Sequence, residues 1–369
     1  MTRPLKICYV SPNAHLGGAE RIIEILLKHH DRERFEPSVV FLKQGPLVKK
    51  WQELGFQTWV TPPFRLRNPL SLKSACNAFG NYAQAQAFDV IHSHLSYGHL
   101  ISTLSLRKIN AKRMWFQHGP VGRGLDSIAG FLPAETVFFN SEFTARQQSI
   151  SRSIQTRIVY GPVERPRLSG EERLQIRAAQ RKALDLRETD IVLLHVARID
   201  PWKGQDLVLE AFSKLRRRSI DAKLVFFGDA SIGSRDYFEA LKTRAMKPDL
   251  HGHVRFAGFE SDIEKIYSVG DVFIHSALTP EPLGLTVLEA QMRSLPVIVA
   301  DAGGLREVVT DQKDGLMYPS GNVDGLVNAI SKMLDSADLR RTLASAGLES
   351  VSRFEASTWT KLMEDAYRA

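Results

Sequence analysis

Cysteine is scarce in this chain of 369 residues: only Cys8 and Cys76 are present. Two cysteines cannot form a disulfide framework, and Cys8 sits in an apolar run that reads as a buried strand, so a reducing cytosol is expected. No stretch approaches the roughly 20 apolar residues of a membrane-spanning helix. The N-terminal MTRPLKICYVS has too short an apolar run for a signal peptide and reads as a first strand. Internal repeats and low-complexity segments are missing too. A dinucleotide oxidoreductase would place G-x-G-x-x-G directly after a strand; the nearest candidate, Gly119 to Gly124, reads G-P-V-G-R-G with the wrong spacing. No compact basic-aromatic motif supports a nucleic-acid partner. The formal net charge of +8 instead suits a negatively charged small substrate such as a nucleotide diphosphate, an anionic membrane surface, or merely scattered surface lysines and arginines.

What is present is ordinary for a globular protein, with 43% hydrophobic and 24% charged residues and a length that suggests two domains. Strands and helices alternate through both halves, which predicts two doubly wound α/β domains. Pro, Gly and charge, typical of linkers, cluster in YGPVERPRLSGEERLQ, and the domain boundary is placed near 162 to 170.

The most informative stretch runs from Phe273 to Gly304, FIHSALTPEPLGLTVLEAQMRSLPVIVADAGG. It reads as a strand, a Pro/Gly-rich loop, a helix opening near Leu285 and a second strand ending in Gly303-Gly304. Glu281 falls in the loop and Glu289 in the first turns of the helix, at the carboxyl edge of a parallel sheet, where open α/β sheets bind ligands. The amides of Gly284, Leu285 and Thr286 lie at the helix N-terminus, a place suited to phosphate.

Elsewhere Gly17 and Gly18 open a helix after the first strand, and the amides of Gly18, Ala19 and Glu20 can face an anion. Arg198 and Lys203 lie five apart on the loop after the strand Ile191 to Val196, where two cations can neutralise a diphosphate, the Arg bidentately and the Lys as a point charge. His118 sits at a strand's carboxyl end beside Gly119, which is expected to leave it accessible; packing and a site role are both open for it. His92, His94 and His99 raise a metal question, because H-x-H at a strand end also occurs in metallohydrolases. Ser141 is expected to cap the helix that follows it. The C-terminal FEASTWTKLMEDAYRA reads as an amphipathic helix with Trp359, Leu362 and Tyr367 on or near one face.

Together E-P-L-G-L-T-V-L-E-A, the R-x4-K-G loop at Arg198 to Gly204 and the G-G-A-E turn resemble the family 4 retaining glycosyltransferases, nucleotide-sugar enzymes of the GT-B fold. The resemblance covers almost the whole chain and is strongest from 192 to 321. It departs at Tyr160, where Asn is common, and at Ala197, where Gly is usual. It implies two Rossmann-like domains facing a cleft: residues 1–164 on the acceptor side, joined by a returning helix 352–369, and 165–351 holding the nucleotide sugar. It implies that Arg198 and Lys203 hold the phosphates and that Gly17 and Gly18 lie over the diphosphate. His118 is implied near the donor sugar and Phe259 over the base, with Gly228 among the nucleotide-binding positions. Glu289 is expected on the ribose hydroxyls and Glu281 on the sugar hydroxyls. No metal or other cofactor and no enzymatic nucleophile are expected, and alanine at Lys203 or Glu281 is expected to abolish transfer with the fold intact. The donor is a UDP-hexose first and GDP-mannose second; the acceptor is a glycan or a lipid-linked molecule, the latter reached at the inner membrane face. Two other readings stand beside this one: a metal-dependent hydrolase built on His92 and His94, and a silent nucleotide-sugar-binding protein.

Overall fold

The structure is a computed structural model that describes residues 3–107, 109–122, 124–230 and 233–369. Residue 123, inside the Gly119 to Gly124 run, therefore lies outside the described residues. The chain divides into two compact units, one of residues 1–162 with 356–369, the other of residues 163–355. The expected division, at 164/165 and 351/352, lies a few residues from these points.

The first unit holds a parallel sheet of seven strands: β1 (Leu5–Ser11), β2 (Phe35–Phe41), β3 (Gln57–Val60), β4 (Val90–His94), β5 (Lys112–Gln117), β6 (Thr136–Phe139) and β7 (Gln155–Ile158). They lie in the order β3-β2-β1-β4-β5-β6-β7. The second unit holds six more: β8 (Val192–Val196), β9 (Lys223–Phe227), β10 (Val254–Gly258), β11 (Val272–His275), β12 (Val297–Ala300) and β13 (Leu316–Tyr318). Their order is β10-β9-β8-β11-β12-β13. Every pairing is parallel, and the apolar runs follow from it: strands covered by helices on both faces are buried on both faces, as Val192, Leu193 and Leu194 of β8 show at 0% exposure. Both sheets change winding direction between their first strand and the fourth, at β1/β4 (Ile7 beside Val90) and β8/β11 (Leu193 beside Val272). The loops leaving the carboxyl ends of those strands frame the crevice where this topology places ligands.

The C-terminal helix Ala356–Arg368 packs on helix Gly18–His29 of the first unit. Trp359, Met363 and Tyr367, four apart, form its buried stripe, but Leu362 is 53% exposed, contrary to the expected face. At 100° per residue Leu362 falls about 100° from the centre of that stripe.

Two helices depart from the sequence reading. The TPPFRLRNP loop leads into an 18-residue helix, Pro69–Gln86, capped by the Asn68 side chain. Its buried positions, Ala75, Cys76, Phe79 and Ala83, are mostly small and give weak hydrophobic contrast. The stretch of linker-like composition runs into the first turns of helix Gly170–Ala183, begun by a capping box in which Ser169 and Glu172 satisfy each other's backbone amides. Only Arg181 of that helix is buried, so its composition is that of a linker.

Candidate functional site

In the second unit the loop after β8 is fixed from below. Gln205 Nε2 donates to the Arg198 carbonyl at 2.8 Å. Gly204 has φ +70°, and a Cβ there would lie 2.2 Å from the carbonyl oxygen of Ser276, so only glycine lets this loop close on the end of β11. Ser276 Oγ donates to the Lys203 carbonyl at 2.8 Å. Its single proton is thereby used, and the buried His195 Nε2, 3.0 Å away, donates to it in turn. Burial, then the neighbouring His275 and Lys203, lower the His195 pKa to about 3, so its ring is neutral.

Lys203 and Glu281 were expected to meet different parts of a ligand. Instead the Lys203 ammonium is ion-paired with Glu281 Oε1, and it lies over the Trp202 ring, 4.0 Å from its centre. His275 Nε2 reaches the other carboxylate oxygen at 3.2 Å. Burial alone would push the Glu281 carboxyl up, but His275 and Lys203 outweigh it and hold the group well below the usual carboxylate range. The Gly303-Gly304 turn supports the loop: the Gly304 amide donates to the Glu281 carbonyl at 2.9 Å. A Cβ on Gly303, at φ +63°, would lie 2.4 Å from that same carbonyl oxygen.

Glu289 is half-buried on helix Leu285–Met292, and Tyr267 Oη donates to its Oε2 at 2.7 Å. Gly284 caps the helix in the left-handed region, and the amides of Leu285 and Thr286 have no acceptor within the helix. Arg198 is exposed, and its guanidinium makes no hydrogen bond or ion pair among the described residues. Gly228 ends β9, its amide donating to the Gly258 carbonyl, and Phe259 follows β10 at 59% exposure. Thus Lys203 and Glu281 touch, Glu289 stands on the helix that follows Glu281, and Arg198 is free on the loop that carries Lys203. His195, His275 and Ser276 escaped the sequence reading, although both histidines occupy the strand-end position that singled out His118.

In the first unit Gly17 caps helix Gly18–His29. Of the amides expected to face an external anion, that of Glu20 is met from within. Glu20 is 4% exposed, its carboxylate accepts from its own amide and that of Gly17, and Ser11 Oγ donates to it at 3.0 Å. Burial nevertheless pushes its pKa up.

His118 is 8% exposed rather than accessible. It lies at the end of a buried polar chain. Glu364 Oε1 meets His30 Nδ1 at 2.9 Å, His30 Nε2 meets Tyr9 Oη at 2.5 Å, and Tyr9 Oη meets Tyr367 Oη at 3.1 Å. Tyr367 Oη meets His92 Nδ1 at 2.8 Å, the His92 and His94 rings are 4.7 Å apart, and His94 Nδ1 meets His118 Nε2 at 2.7 Å. Burial holds the pKa of His92, His94 and His118 well below the usual value. Among the described residues no group of three or more His, Cys, Asp or Glu could hold a metal ion. His92 Nδ1 and His94 Nδ1 are engaged with Tyr367 and His118, while the Nε2 atoms of both rings are buried without a hydrogen-bond partner.

Comparison with known proteins agrees with this arrangement. Residues 176–350 match the family described as glycosyl transferases group 1, and residues 16–149 match glycosyltransferase family 4. The chain belongs to these glycosyltransferases. It is 25% identical over 314 residues to EpsD of Bacillus subtilis, assigned to the glycosyltransferases, covering 76% of this chain and 77% of that protein. Over 184 residues it is 32% identical to the GDP-mannose-dependent alpha-(1-6)-phosphatidylinositol monomannoside mannosyltransferase of Mycobacterium tuberculosis, a match spanning 48% of this chain and 46% of that enzyme. Its fold is that of HepE from Anabaena, crystallised with UDP and glucose, at a TM-score of 0.84 and 22% identity over 99% of this chain and 100% of the other. The GT-B expectation holds for both sheets.

Two predictions follow from the geometry. Lys203→Met strands a buried carboxylate, and breaking such a pair costs on the order of 3–5 kcal/mol; the expectation of an intact fold is revised accordingly. Lys203→Met should lower the denaturation midpoint, and adding Glu281→Gln should recover most of the loss. An unchanged midpoint in Lys203→Met contradicts the pairing. The second concerns pH. The folded chain keeps His92, His94, His118, His99 and His195 neutral, His99 with a pKa near 4 against 6.5 unfolded. Below pH 6.5 the unfolded chain binds protons that the folded chain refuses, so stability is full above that value and falls towards pH 4. The melting temperature should drop by several degrees between about pH 7 and 5; a flat profile there contradicts neutral burial.

Proposed function

We propose that the protein transfers a hexose from a nucleotide diphosphate sugar to a glycan or lipid-linked acceptor, with retention of configuration. The observation that carries this reading is the Lys203–Glu281 pair, formed by the two loops that leave β8 and β11 at the change of winding. A cation and a carboxylate held there match a ligand that presents phosphate and hydroxyl groups together. On this account the incoming diphosphate takes Lys203 from Glu281 and also engages the free Arg198 and the first amides of helix Leu285–Met292. Glu281, still held by His275 and fully ionised, is left to accept from sugar hydroxyls. Glu289, oriented by Tyr267, accepts from the ribose hydroxyls. Phe259 is exposed where a base can lie against it, and Gly228 keeps the neighbouring turn clear.

As the bond from the anomeric carbon to the phosphate oxygen breaks, negative charge grows on the leaving diphosphate, and Arg198 and Lys203 stabilise it. These cations take the role that a metal would otherwise fill. The acceptor hydroxyl adds to the anomeric carbon on the face of departure and yields its proton to the leaving diphosphate oxygen, so no nucleophile from the protein is needed. In the first unit His118, neutral and buried, can serve as a hydrogen-bonding group rather than an acid, and Gly17 and Gly18 stand on a turn that Glu20 braces. UDP-hexose is the first donor, in keeping with the UDP in the HepE crystals, and GDP-mannose the second, in keeping with the mannosyltransferase relative. No helix among the described residues is long and apolar enough to cross a membrane; on this proposal a lipid-linked acceptor is met at the inner membrane face.

The test is release of nucleoside diphosphate from UDP-glucose and GDP-mannose in the presence of lipid and glycan acceptors. Arg198→Ala should slow release by about 10²–10³-fold, as loss of one charge-stabilising donor does. Because Arg198 has no partner among the described residues, the melting temperature should stay the same. Undiminished turnover in the variant contradicts the assignment.

A further inference from the structure

A cavity of about 270 Å³ opens on the second unit between helix Gly170–Ala183, helix Ile263–Ser268 and the turn that follows helix Leu285–Met292. Its lining is unusually rich in guanidinium groups: Arg173, Arg177 and Arg293. They are not equivalent. Arg177 is satisfied, donating to the carbonyls of Ser268 and Gly270 and to the Asp271 carboxylate. Arg293 is 5% exposed and donates through Nη1 to the Glu289 carbonyl and through Nη2 to Glu264, but its Nε has no acceptor. A buried donor left unmade is costly. Arg173 is exposed at the rim, and its one hydrogen bond is a long contact of 3.4 Å to the Arg293 carbonyl. Glu264 answers Arg293 and Asp271 answers Arg177, so the charge of Arg173 is left over.

We propose that this cavity is a binding site for a phosphomonoester, separate from the donor loops. The Arg293 Nε is enclosed, so the accessible donors are those of Arg173, whose charge no carboxylate of the cavity answers. A phosphate dianion meets that charge with more negative charge and more acceptor oxygens than a carboxylate brings. Leu174, 67% exposed and lining the same cavity, gives the organic body an apolar wall. The occupant would share neighbours with Glu289, since the Arg293 guanidinium lies over the Tyr267 ring, 5.5 Å from its centre, and Tyr267 holds the Glu289 carboxylate. The cavity stands whether or not the nucleotide-sugar assignment does.

The phosphate could belong to a soluble sugar phosphate or to a lipid headgroup, and the experiment separates them. The full chain is titrated calorimetrically with glucose 6-phosphate, with glucose as the neutral control, and sedimented with phosphatidylcholine vesicles with and without phosphatidate. Binding of the soluble ester should weaken by about 10–100-fold in Arg173→Ala, the loss expected for a charge-assisted hydrogen bond, and persist in Arg198→Ala. UDP binding should be the same in Arg173→Ala as in the parent. Arg173-dependent sedimentation with phosphatidate and no binding of glucose 6-phosphate would assign the phosphate to a lipid. Equal binding in Arg173→Ala, loss in Arg198→Ala instead, or no binding of either probe would overturn the proposal.

Discussion

A carboxylate with almost no exposure stays ionised only where partners stabilise its charge, and Glu281 has partners on two sides. Lys203 arrives on the loop after β8 and His275 from the end of β11, so the pair ties together the two strands at which the sheet changes winding. The glycines around it follow from the same constraint: Gly204 lets the first loop approach Ser276, and Gly303 lets the following turn pass beneath Glu281. Breaking a buried ion pair is expensive unless a ligand supplies the exchanged charges. A diphosphate for Lys203 and hydroxyl donors for Glu281 would do so together, which makes the pair both a structural tie and a prepared site.

The first unit is organised differently. Its buried polar groups run in a chain of hydrogen bonds and one ring contact from Glu364 on the C-terminal helix to His118 at the end of β5, with the His92, His94 and His118 rings neutral. Glu20 likewise folds back on the start of its own helix, accepting from its own amide and that of Gly17. The first unit thus offers shape and fixed hydrogen bonds, and the second offers uncommitted cations.

The sheets and the family were legible because parallel strands bury both faces and leave continuous apolar runs, and because E-P-L-G-L-T-V-L-E-A joins a loop glutamate to a helix glutamate at fixed spacing. Arg198 was assigned to a phosphate from its place on the loop after a strand, and in the structure its guanidinium is exposed with no hydrogen bond or ion pair among the described residues. Lys203 and Glu281 were assigned to a ligand without their mutual contact, since 78 residues separate them and only folding brings them together. His118 read as accessible because the following glycine was visible in the sequence, whereas His94 packing on it was not. Helix Gly170–Ala183 was hidden by its own polarity, although the Ser169-to-Glu172 spacing carried the capping signal.

The most direct measurement is a calorimetric titration of the purified protein with UDP, GDP and ADP, each with and without EDTA. The account predicts that one of these nucleotides binds with unit stoichiometry and that EDTA leaves its affinity unchanged, because Arg198, Lys203 and helix amides do the work of a metal. Binding of none of them, or binding that EDTA abolishes, would contradict it.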